Sequence, residues 1–533
     1  MTVTLYDEFA GGGGSTDGAA NVPGVDPVQA ANHNVVALET HGANFPNVDH
    51  ILGDVTKTDI VRFARADLFW ASPACPPWTD ARGKKRDFDK STFQALPGMP
   101  DDPATADAQT LRARKLMEEI PRYLAHWHLR GRPVLAGVVE NVVQCRRWAE
   151  WHRWLGEIQA LGYRTRLIAL NSMHVRPVRT ARAPQSRDRL YLAYWLDKLP
   201  HPDFDKWLRP RAWCPSCDQV IDAIQVFKNP RNDMGRYGVR HGQYVYKCPR
   251  HTCRGQVVEP EALPALTAID WTLPAARIGD RADLGKEPLE AATLTRIRVG
   301  IAKYAVPLLT PAGGTWRDTA LPVTAPMPTR TTRENDGVAV PPLLVPVEGR
   351  PGKTAAPAAA PLRTQTARNE TGLAWVPFIV PMRGGGDKER ARDIGQPLHT
   401  VTAGGNHHGL TLPEPLAPWE HLLVPYNGKG YARPVTGPVG TQPTRDRWSL
   451  ASGIAADIDL DDVRFRMLEP HEIQRAMAFR DDYIICGTSK RAKVRQLGNA
   501  VTPPAAEVIV SALVEAITGH DLERDPQPRT EAA

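Results

Sequence analysis

Short apolar runs that end in turn or polar residues recur through the first part of the chain, and each run predicts a strand. They are TVTLYDEF at 2–9, HNVVALE at 33–39, DLFWASP at 67–73, PVLAGVVEN at 133–141, RTRLIALN at 164–171 and RLYLAYW at 189–195. Helical patterns lie between several of these runs. Strands that alternate with helices are typical of an α/β fold, so we predict a doubly wound, mostly parallel sheet.

Three helices are predicted from apolar residues three and four positions apart. The apolar face of the first, within 110–129, carries Met117, Ile120, Leu124 and Trp127. That of the second, within 147–162, carries Trp148, Trp151, Leu155 and Ile158, and Gly162 is expected to end it. The third begins at Pro503 and Pro504 and carries Val508, Ile509, Leu513 and Ile517.

The segment 301–455 is rich in proline and threonine, which excludes long helices. A Pro-x-x-Thr frame recurs in PMPTRT at 326, PLRTQT at 361, PLHTVT at 397 and PVGTQP at 438. Three copies are followed by an apolar run that ends in Val-Pro: LLVPVEG at 343, FIVPMRGGG at 378 and LLVPYNGKG at 422. We predict small repeated β units here, with a low-complexity linker as the alternative.

Composition narrows the class of protein. The chain has 533 residues, 42% of them hydrophobic, which is enough for a buried core and more than one domain. The net charge of +7 suits a polyanionic partner, although many soluble proteins carry a similar charge. Seven cysteines do not indicate a secreted disulfide scaffold, and the N-terminal residues lack the features of a signal peptide. Because no run of about eighteen apolar residues is present, we expect a cytoplasmic protein without a membrane partner.

A glycine-rich segment, DEFAGGGGSTDG at 7–18, follows the first strand directly. Such a loop lets the backbone approach a ligand, and the helix N-terminus after it favours negative charge. Glu39, at the predicted end of the next strand, is the acid expected on the ribose of an adenosine cofactor. Asp54 in LGDV is a candidate partner for the adenine amino group. Nicotinamide enzymes share this loop, and both acids are alternatively ordinary solvent-exposed residues.

The segment ASPACPPWTDARGKKR at 71–86 places Cys75 at the end of a predicted strand and cations after it. The carboxyl ends of parallel strands line the ligand crevice, and nearby cations favour a thiolate. A lone cysteine is more often a buried structural residue. However, Glu140 and Asn141 end the next strand, and a thiol that faces a proton-donating carboxyl group can perform covalent catalysis. The end of a further strand carries Gln185, Arg187 and Arg189.

In this order, the motifs resemble those of the DNA cytosine-5 methyltransferases. The glycine-loop motif is matched by Asp7, Phe9, Ala10, Gly11, Gly13 and Gly14. The Glu-Asn-Val motif is matched by Glu140, Asn141 and Val142, and the Gln-x-Arg-x-Arg motif by Gln185, Arg187 and Arg189. The closing Gly-Asn-x-Val-x-Pro motif is matched by Gly498, Asn499, Val501 and Pro503. These matches cover about 1–195 and 460–518. One motif differs from the family pattern: the family has Pro-Pro-Cys-Gln where this chain has Pro73, Ala74, Cys75 and Pro76.

The resemblance implies a class I methyltransferase that transfers a methyl group from S-adenosylmethionine to C5 of cytosine in double-stranded DNA. It assigns the cofactor to the glycine-loop residues, together with Glu39, Asp54, Asn499 and Val501. It makes the Cys75 thiolate the nucleophile that attacks C6 of a flipped-out base, with a proton held at N3 by Glu140. Arg189 would bind O2, and Arg187 would support the strand. The loop residues expected to contact phosphates are Arg82, Lys84, Lys85 and Arg86, with a merely solvated loop as the alternative.

Four of the seven cysteines form two pairs, Cys214 with Cys217 and Cys248 with Cys253. The paired spacing predicts a structural zinc ribbon in which His251 could replace one thiolate, and reduced surface thiols are the alternative. Cys145 and Cys486 are expected to be packing residues.

The expected domains are a first catalytic part at 1–195, an insert at 196–300 with the zinc ribbon at 214–253, a target-recognition region at 301–455, the completion of the catalytic domain at 456–520 and a flexible tail at 521–533. We expect a monomer that binds double-stranded DNA in a bacterium or a phage-infected host, in a restriction-modification setting. Two alternatives stay open: a DNA-binding relative that has lost catalysis, and a nicotinamide oxidoreductase.

Overall fold

The computed structural model of the protein describes residues 1–74, 108–240, 242–263, 265–268, 276–289 and 469–524, with residues 270, 273, 291, 294 and 461 and the strands between 308 and 467 that are given below. The chain divides into two compact units. The first contains 1–270, 359–369 and 469–533, and the second contains 271–358 and 370–468.

The helices are α1 Gly14–Ala20, α2 Val35–Asn44, α3 Ala108–Leu129, α4 Trp151–Ala160, α5 Phe204–Leu208, α6 Pro470–Ala476, α7 Lys490–Asn499 and α8 Pro503–Thr518. The first strands are β1 Val3–Glu8, β2 Val25–Asn32, β3 Asp49–Leu52, β4 Leu68–Ala71, β5 Ala136–Asn141, β6 Tyr163–Asn171, β7 Gln185–Ser186, β8 Asp188–Leu196, β9 Arg211–Cys214, β10 Gln219–Asp222, β11 Ile224–Phe227, β12 Tyr244–Lys247 and β13 Val257–Val258. They are followed by β14 Ala276–Arg277, β15 Leu308–Pro311, β16 Leu321–Pro322, β17 Asp336–Ala339, β18 Leu343–Pro346, β19 Ala356–Pro357, β20 Leu362–Arg363, β21 Thr371–Trp375, β22 Phe378–Pro381, β23 Arg392–Asp393, β24 His408–Leu410, β25 Glu420–Pro425, β26 Arg433–Pro434, β27 Trp448–Gly453 and β28 Arg464–Met467.

Seven strands form one sheet in the order β3-β2-β1-β4-β5-β8-β6. The first five are parallel to one another, whereas β8 runs antiparallel to both β5 and β6. The carboxyl ends of β1, β4 and β5 meet at one edge, because Glu8 pairs with Ala71 and Ala71 with Val139. The predicted doubly wound, mostly parallel α/β fold is confirmed.

The run at 33–39 is not a strand, contrary to the prediction. It lies in α2, where the Asn34 side chain caps the helix by accepting a hydrogen bond from the Ala37 backbone N–H at 3.2 Å. The strand that pairs with β1 at this side is β2, the segment just before α2 in the chain, although it contains Pro27. The β1–β2 register shifts next to the Leu5–Pro27 pair, and proline is tolerated where strand pairing is irregular.

The predicted helices exist, with one changed boundary. Met117 and Ile120 are fully buried in α3, as the apolar spacing indicated. The second predicted helix starts later than expected, at Trp151, because a 3-10 turn occupies 143–147. Gly162 follows this helix with a φ of +84°, the left-handed conformation expected at a helix C-terminus.

Apolar side chains cover both faces of the sheet, since alternate residues of each strand point in opposite directions. Helix α8 lies on one face, where Val508, Ile509 and Leu513 are fully buried. It approaches α1 so closely that a Cβ on Gly18 would lie 2.1 Å from the Pro503 carbonyl oxygen. The C-terminal helix therefore completes the core that the N-terminal strands begin.

The stretch Lys490–Thr518 is, within the described part of the chain, the one helical stretch long and apolar enough to cross a membrane, and 89% of its most apolar window is buried inside the protein. Burial of this kind is typical of a core helix.

The apolar runs that end in Val-Pro are strands, as predicted: β18, β22 and β25. A related run, LLTP, forms β15 and was not recognised as a copy from the sequence. Each of the four has two antiparallel partners: β15 pairs with β16 and β17, β18 with β19 and β21, β22 with β23 and β24, and β25 with β26 and β27. Three of the four units are three-stranded sheets, whereas the unit of β18 belongs to the five-stranded sheet β14-β28-β21-β18-β19, and the linker alternative does not hold for these strands.

Candidate active site

The glycine loop between β1 and α1 uses backbone conformations that most side chains disfavour. Phe9, Gly11 and Gly13 have φ angles of +63°, +56° and +87°. The Gly13 N–H donates to the Ala10 carbonyl at 3.0 Å, which closes the turn. A Cβ on Gly11 would meet no atom nearer than 3.9 Å, so the loop is open on that side. This is a cradle in which the backbone can approach a ligand.

The C-terminal segment packs directly on this loop. A Cβ on Gly14 would lie 2.0 Å from the Val501 carbonyl oxygen, so only glycine permits the contact. The Tyr483 hydroxyl donates to the Gly12 carbonyl at 2.7 Å. The two ends of the chain therefore build one site.

Asp7 is buried beneath the loop. Its Oδ2 accepts hydrogen bonds from the hydroxyls of Ser15 and Thr16 at 2.5 and 2.7 Å. Burial raises the pKa of Asp7 to about 7, although these hydroxyls act in the opposite direction. Its second oxygen, Oδ1, is buried without a hydrogen-bond partner among the described residues. Because buried polar atoms are nearly always paired, this oxygen fits a site that accepts a hydrogen bond from a bound cofactor.

The other predicted cofactor residues are placed differently from one another. Asp54 follows β3 and is half-buried, and its Oδ1 accepts from the Thr56 hydroxyl at 2.9 Å. Val501 is buried against the glycine loop, whereas the Asn499 side chain is exposed at the end of α7. The predicted position of Glu39 at a strand end is wrong. It lies on the exposed face of α2, because the chain turns into that helix after Asn32.

Glu140 and Arg189 form an ion pair at the carboxyl end of β5. The Glu140 Oε1 is 3.0 Å from the Arg189 Nε, and Glu140 is only 8% exposed. Burial raises the pKa of Glu140 above its ordinary value, and the charges of Arg189 and Arg187 oppose the shift. This carboxyl group can therefore hold a proton more readily than an exposed glutamate, while an arginine fixes its orientation.

Arg187, which is buried, joins β8 to the closing motif. Its Nη2 donates to the carbonyls of Gly498 and Ala500 at 3.1 and 2.8 Å. Gln185 of the same motif is fully buried, and neither atom of its amide has a hydrogen-bond partner within the described residues.

Cys75, the predicted nucleophile, lies outside the described residues, as do the predicted phosphate contacts Arg82, Lys84, Lys85 and Arg86. The chain that leads to Cys75 is described as far as Ala74. The Asn141 side-chain amide donates to the Pro73 carbonyl at 3.2 Å, which ties that chain to the end of β5. The segment before Cys75 and the Glu140 carboxyl group therefore share one edge of the sheet.

Several residues that support the glycine loop were missed from the sequence. The Thr16 hydroxyl lies 2.9 Å from His41 Nε2, and His41 Nδ1 lies 2.8 Å from His50 Nε2. Burial lowers the pKa of His41 to about 3, so this ring is neutral. Arg480 pairs with Asp17 of α1 at 2.5 Å. No local pattern signals these partners, because each pair joins separate elements.

The four predicted metal ligands are brought together. The Sγ atoms of Cys214, Cys217, Cys248 and Cys253 all lie within 4.8 Å of one another, and none of these cysteines forms a disulfide. The Cys214 and Cys253 sulfurs are 3.8 Å apart. Four thiolates at roughly 2.3 Å from a tetrahedral zinc would have similar separations. His251 is exposed and is not part of this cluster.

The model of the C-5 cytosine-specific DNA methylase family matches residues 3–94 and 404–515. Similar solved structures include the Entamoeba histolytica methyltransferase EhMeth, with 11% identity, a TM-score of 0.43 and coverage of 97% of this chain and 99% of that chain. The Dnmt2 methyltransferase of S. pombe has 11% identity, a TM-score of 0.45 and coverage of 97% and 100%. A Spodoptera frugiperda DNMT2 mutant has 12% identity, a TM-score of 0.42 and coverage of 96% and 100%. A comparison with curated proteins gave no match.

The two segments that match the family model meet in the fold, since Val501 of one closes on Gly14 of the other. The sequence motifs, which cover about 1–195 and 460–518, overlap both segments that the family model matches. Over these two segments the chain is similar to the C-5 cytosine-specific DNA methylase family, and this similarity supports an enzyme that methylates cytosine.

Proposed function

We propose that the protein methylates C5 of cytosine in double-stranded DNA, with Cys75 as the nucleophile and the target base rotated out of the duplex. A stacked base pair shields C6 from a thiolate, so the base has to leave the helix before it can react. S-adenosylmethionine, the cofactor that the family implies, supplies the methyl group from its sulfonium, whose sulfur keeps the bonding electron pair. The residues that would hold it are Asp7, the glycine loop at 9–14, Asp54 and Val501.

The reaction assigns a separate task to each residue of the chain. The Cys75 thiolate bonds to C6, and the electron pair of the C5–C6 double bond moves to C5. Glu140 shares its proton with N3, which offsets the negative charge that develops on the ring, and Arg189 binds O2. After C5 has taken up the methyl group, its proton passes to water. The C6–S bond then breaks and releases the thiolate.

The Glu140–Arg189 pair is the observation that carries this proposal. A buried carboxyl group with a raised pKa, held by an arginine 3.0 Å away, is suited to share a proton with a ring nitrogen while the arginine binds a carbonyl oxygen. Asn141 ties the same strand end to Pro73, two residues before the predicted nucleophile.

The test is methyl transfer from labelled S-adenosylmethionine to duplex DNA, followed by bisulfite sequencing. We expect 5-methylcytosine with the native enzyme, none with Cys75→Ser, and normal activity with the matched control Cys486→Ser. A duplex that contains 5-fluorocytosine should form a covalent complex with the native enzyme, seen as a mass increase equal to the DNA. DNA binding without either product would favour the alternative, a relative that has lost catalysis.

Cytosine also occurs in RNA, so the same assay should include RNA of identical sequence. Methylation of the RNA but not of the duplex DNA would contradict the proposed substrate and leave the cytosine chemistry intact.

We propose that the four clustered cysteines hold a structural Zn²⁺. A site closed by four thiolates has no position for a substrate, so the metal would stabilise the fold of the insert and take no part in methyl transfer. The β units at 301–455 would read the target sequence, and we expect the enzyme to act as a monomer in the cytoplasm of a bacterium or a phage-infected host.

A further inference from the structure

A groove of about 640 Å³ lies beside the candidate active site. One wall belongs to the turn that follows β5, and the other belongs to the loop that joins β11 to β12. Its lining includes four arginines and a single acid: Arg146, Arg147, Arg231, Arg236 and Asp233. The sequence motifs that indicate the methyltransferase account for none of these five residues.

An ion pair joins the two walls. It also compensates the negative charge of Asp233, which would otherwise repel a phosphate. Arg146 donates from Nε and Nη2 to the Asp233 carboxylate, with the closest contacts at 3.0 and 2.8 Å. This two-point geometry fixes the loop relative to the turn. Because Arg146 compensates Asp233 in this way, Arg147 and Arg231 leave the groove with a positive potential.

A second contact ties the loop to the catalytic strand. The Asp188 Oδ1 accepts a hydrogen bond from the Tyr237 backbone N–H at 3.0 Å, and burial raises the pKa of Asp188 to about 6. Asp188 directly precedes Arg189, the partner of Glu140. The groove is therefore held at a set position relative to the proposed reaction centre.

Positive charge is concentrated in this part of the chain. Between residues 228 and 254 there are seven cations and one acid: Lys228, Arg231, Arg236, Arg240, Lys247, Arg250, Arg254 and Asp233. The net charge of the whole chain is +7, so this short segment accounts for most of it. Arg147, Arg231 and Arg236 are exposed to solvent.

We infer that this groove binds the phosphate backbone of duplex DNA next to the base that is methylated. The inference rests on the proposed function, which gives the active site a DNA substrate. Val143 lies at the start of the groove, three residues after Glu140, a span of at most about 11 Å. A DNA strand whose base occupies the active site can therefore pass the groove. Guanidinium groups pair well with phosphates, and such contacts position the duplex without reading its sequence.

The experiment measures the affinity of the full-length enzyme for a fluorescent duplex over a series of KCl concentrations. The variant is Arg147→Ala combined with Arg231→Ala. The matched control is Arg132→Ala combined with Arg164→Ala, which removes two exposed arginines near the opposite edge of the sheet, beside the start of β5 and of β6. Because each lost phosphate contact lowers the slope of log Kd against log salt by about 0.9, we expect the variant slope to fall by about 2.

The control should keep the native slope, and both proteins should show the native far-UV circular dichroism. We also expect the variant to have a raised KM for DNA and an unchanged KM for S-adenosylmethionine. A slope and Kd equal to those of the control would overturn the inference, as would native enzyme that binds the duplex without salt dependence. If the native enzyme methylates DNA while the variant matches the control, the groove is rejected and the proposed function stands. If the native enzyme binds DNA but does not methylate it, the salt slopes of the variant and the control still test whether the groove binds phosphates.

Discussion

The Arg189 Nε lies 3.0 Å from the Glu140 Oε1, across two neighbouring antiparallel strands. The register that pairs Asn141 with Leu190 places Arg189 one residue beyond the end of β5, where its side chain reaches the buried carboxyl group. Strand pairing therefore sets the geometry of the proposed acid and its partner.

Replacing Glu140 with glutamine should reduce the rate of methyl transfer at least about 100-fold, because an amide cannot transfer the proton that offsets charge on the ring. The control is Asp197→Asn, the same change at a 63% exposed side chain at the far end of β8, which should keep the native rate. Single-turnover assays with saturating DNA measure the effect. A rate within threefold of native for Glu140→Gln would remove Glu140 from the reaction.

Gly14→Ala should destabilise the protein and weaken binding of S-adenosylmethionine, because the new methyl group would collide with the Val501 carbonyl oxygen. The control is Gly156→Ala inside α4, where a Cβ meets nothing within 4 Å. That change should raise the free energy of unfolding by about 0.5–1 kcal/mol, since alanine is the better helix residue. Urea unfolding and calorimetric titration of the cofactor provide the two measurements. Similar effects of both changes would show that the close contact does not limit either property.

Glu507→Ala should lower the free energy of unfolding by about 3 kcal/mol or more. The carboxylate of this buried residue accepts hydrogen bonds from three consecutive backbone N–H groups, those of Val178, Arg179 and Thr180, at 2.7 to 2.9 Å. Removing it leaves these donors without the acceptor. The control is Glu157→Ala, which breaks an exposed pair with Arg153 and should cost less than about 1 kcal/mol. Equal losses for the two variants in chemical denaturation would contradict the role given to Glu507.

Glu8 should make the stability fall as the pH rises from about 5 to 8, and Glu8→Gln should remove this contribution. Burial raises the pKa of Glu8 from 4.5 to about 8, with Glu119 adding to the shift and the Tyr6 hydroxyl opposing it. The folded state therefore keeps a proton that the unfolded chain releases above its ordinary pKa, so unfolding releases a proton throughout this window.

We expect Glu8→Gln and the native protein to melt at similar temperatures at pH 5, and the variant to melt at the higher temperature at pH 8.5. Part of the native slope should remain in the variant, because the pKa of Asp7 is also raised, to about 7. Parallel melting curves for the two proteins across the whole range would show that Glu8 does not ionise differently in the folded state.

Cys248→Ser should lose the bound zinc and lower the melting temperature, because the cluster would keep only three thiolates. The control is Cys486→Ser, a half-buried cysteine outside the cluster, which should keep one zinc per chain. Elemental analysis of purified protein measures the metal, and thermal melting measures the stability. Native protein without metal, and with a melting temperature that a chelator does not change, would reject the zinc site.

The local sequence determined most of the sheet and the types of residue at the site. β1, β4, β5, β6 and β8 are apolar runs with polar ends, and burial on both faces of a sheet requires that pattern. The strand predicted at 33–39 was wrong and β2 was missed. The β-branched residues at 35 and 36 favour a strand locally, but the Asn34 cap starts a helix there and the preceding segment pairs with β1. For the same reason Glu39 lies in a helix and not at the predicted strand end.

Only the tertiary structure decided which distant groups meet. The glycine loop, Glu140 and the paired cysteines could be named from the sequence, because their chemistry depends on residue type and short spacing. That Arg187 reaches Gly498, or that Asp188 holds Tyr237, follows from the packing of elements far apart in the chain. Many partners are compatible with a single arginine or aspartate, and the fold selects one of them by bringing the elements together.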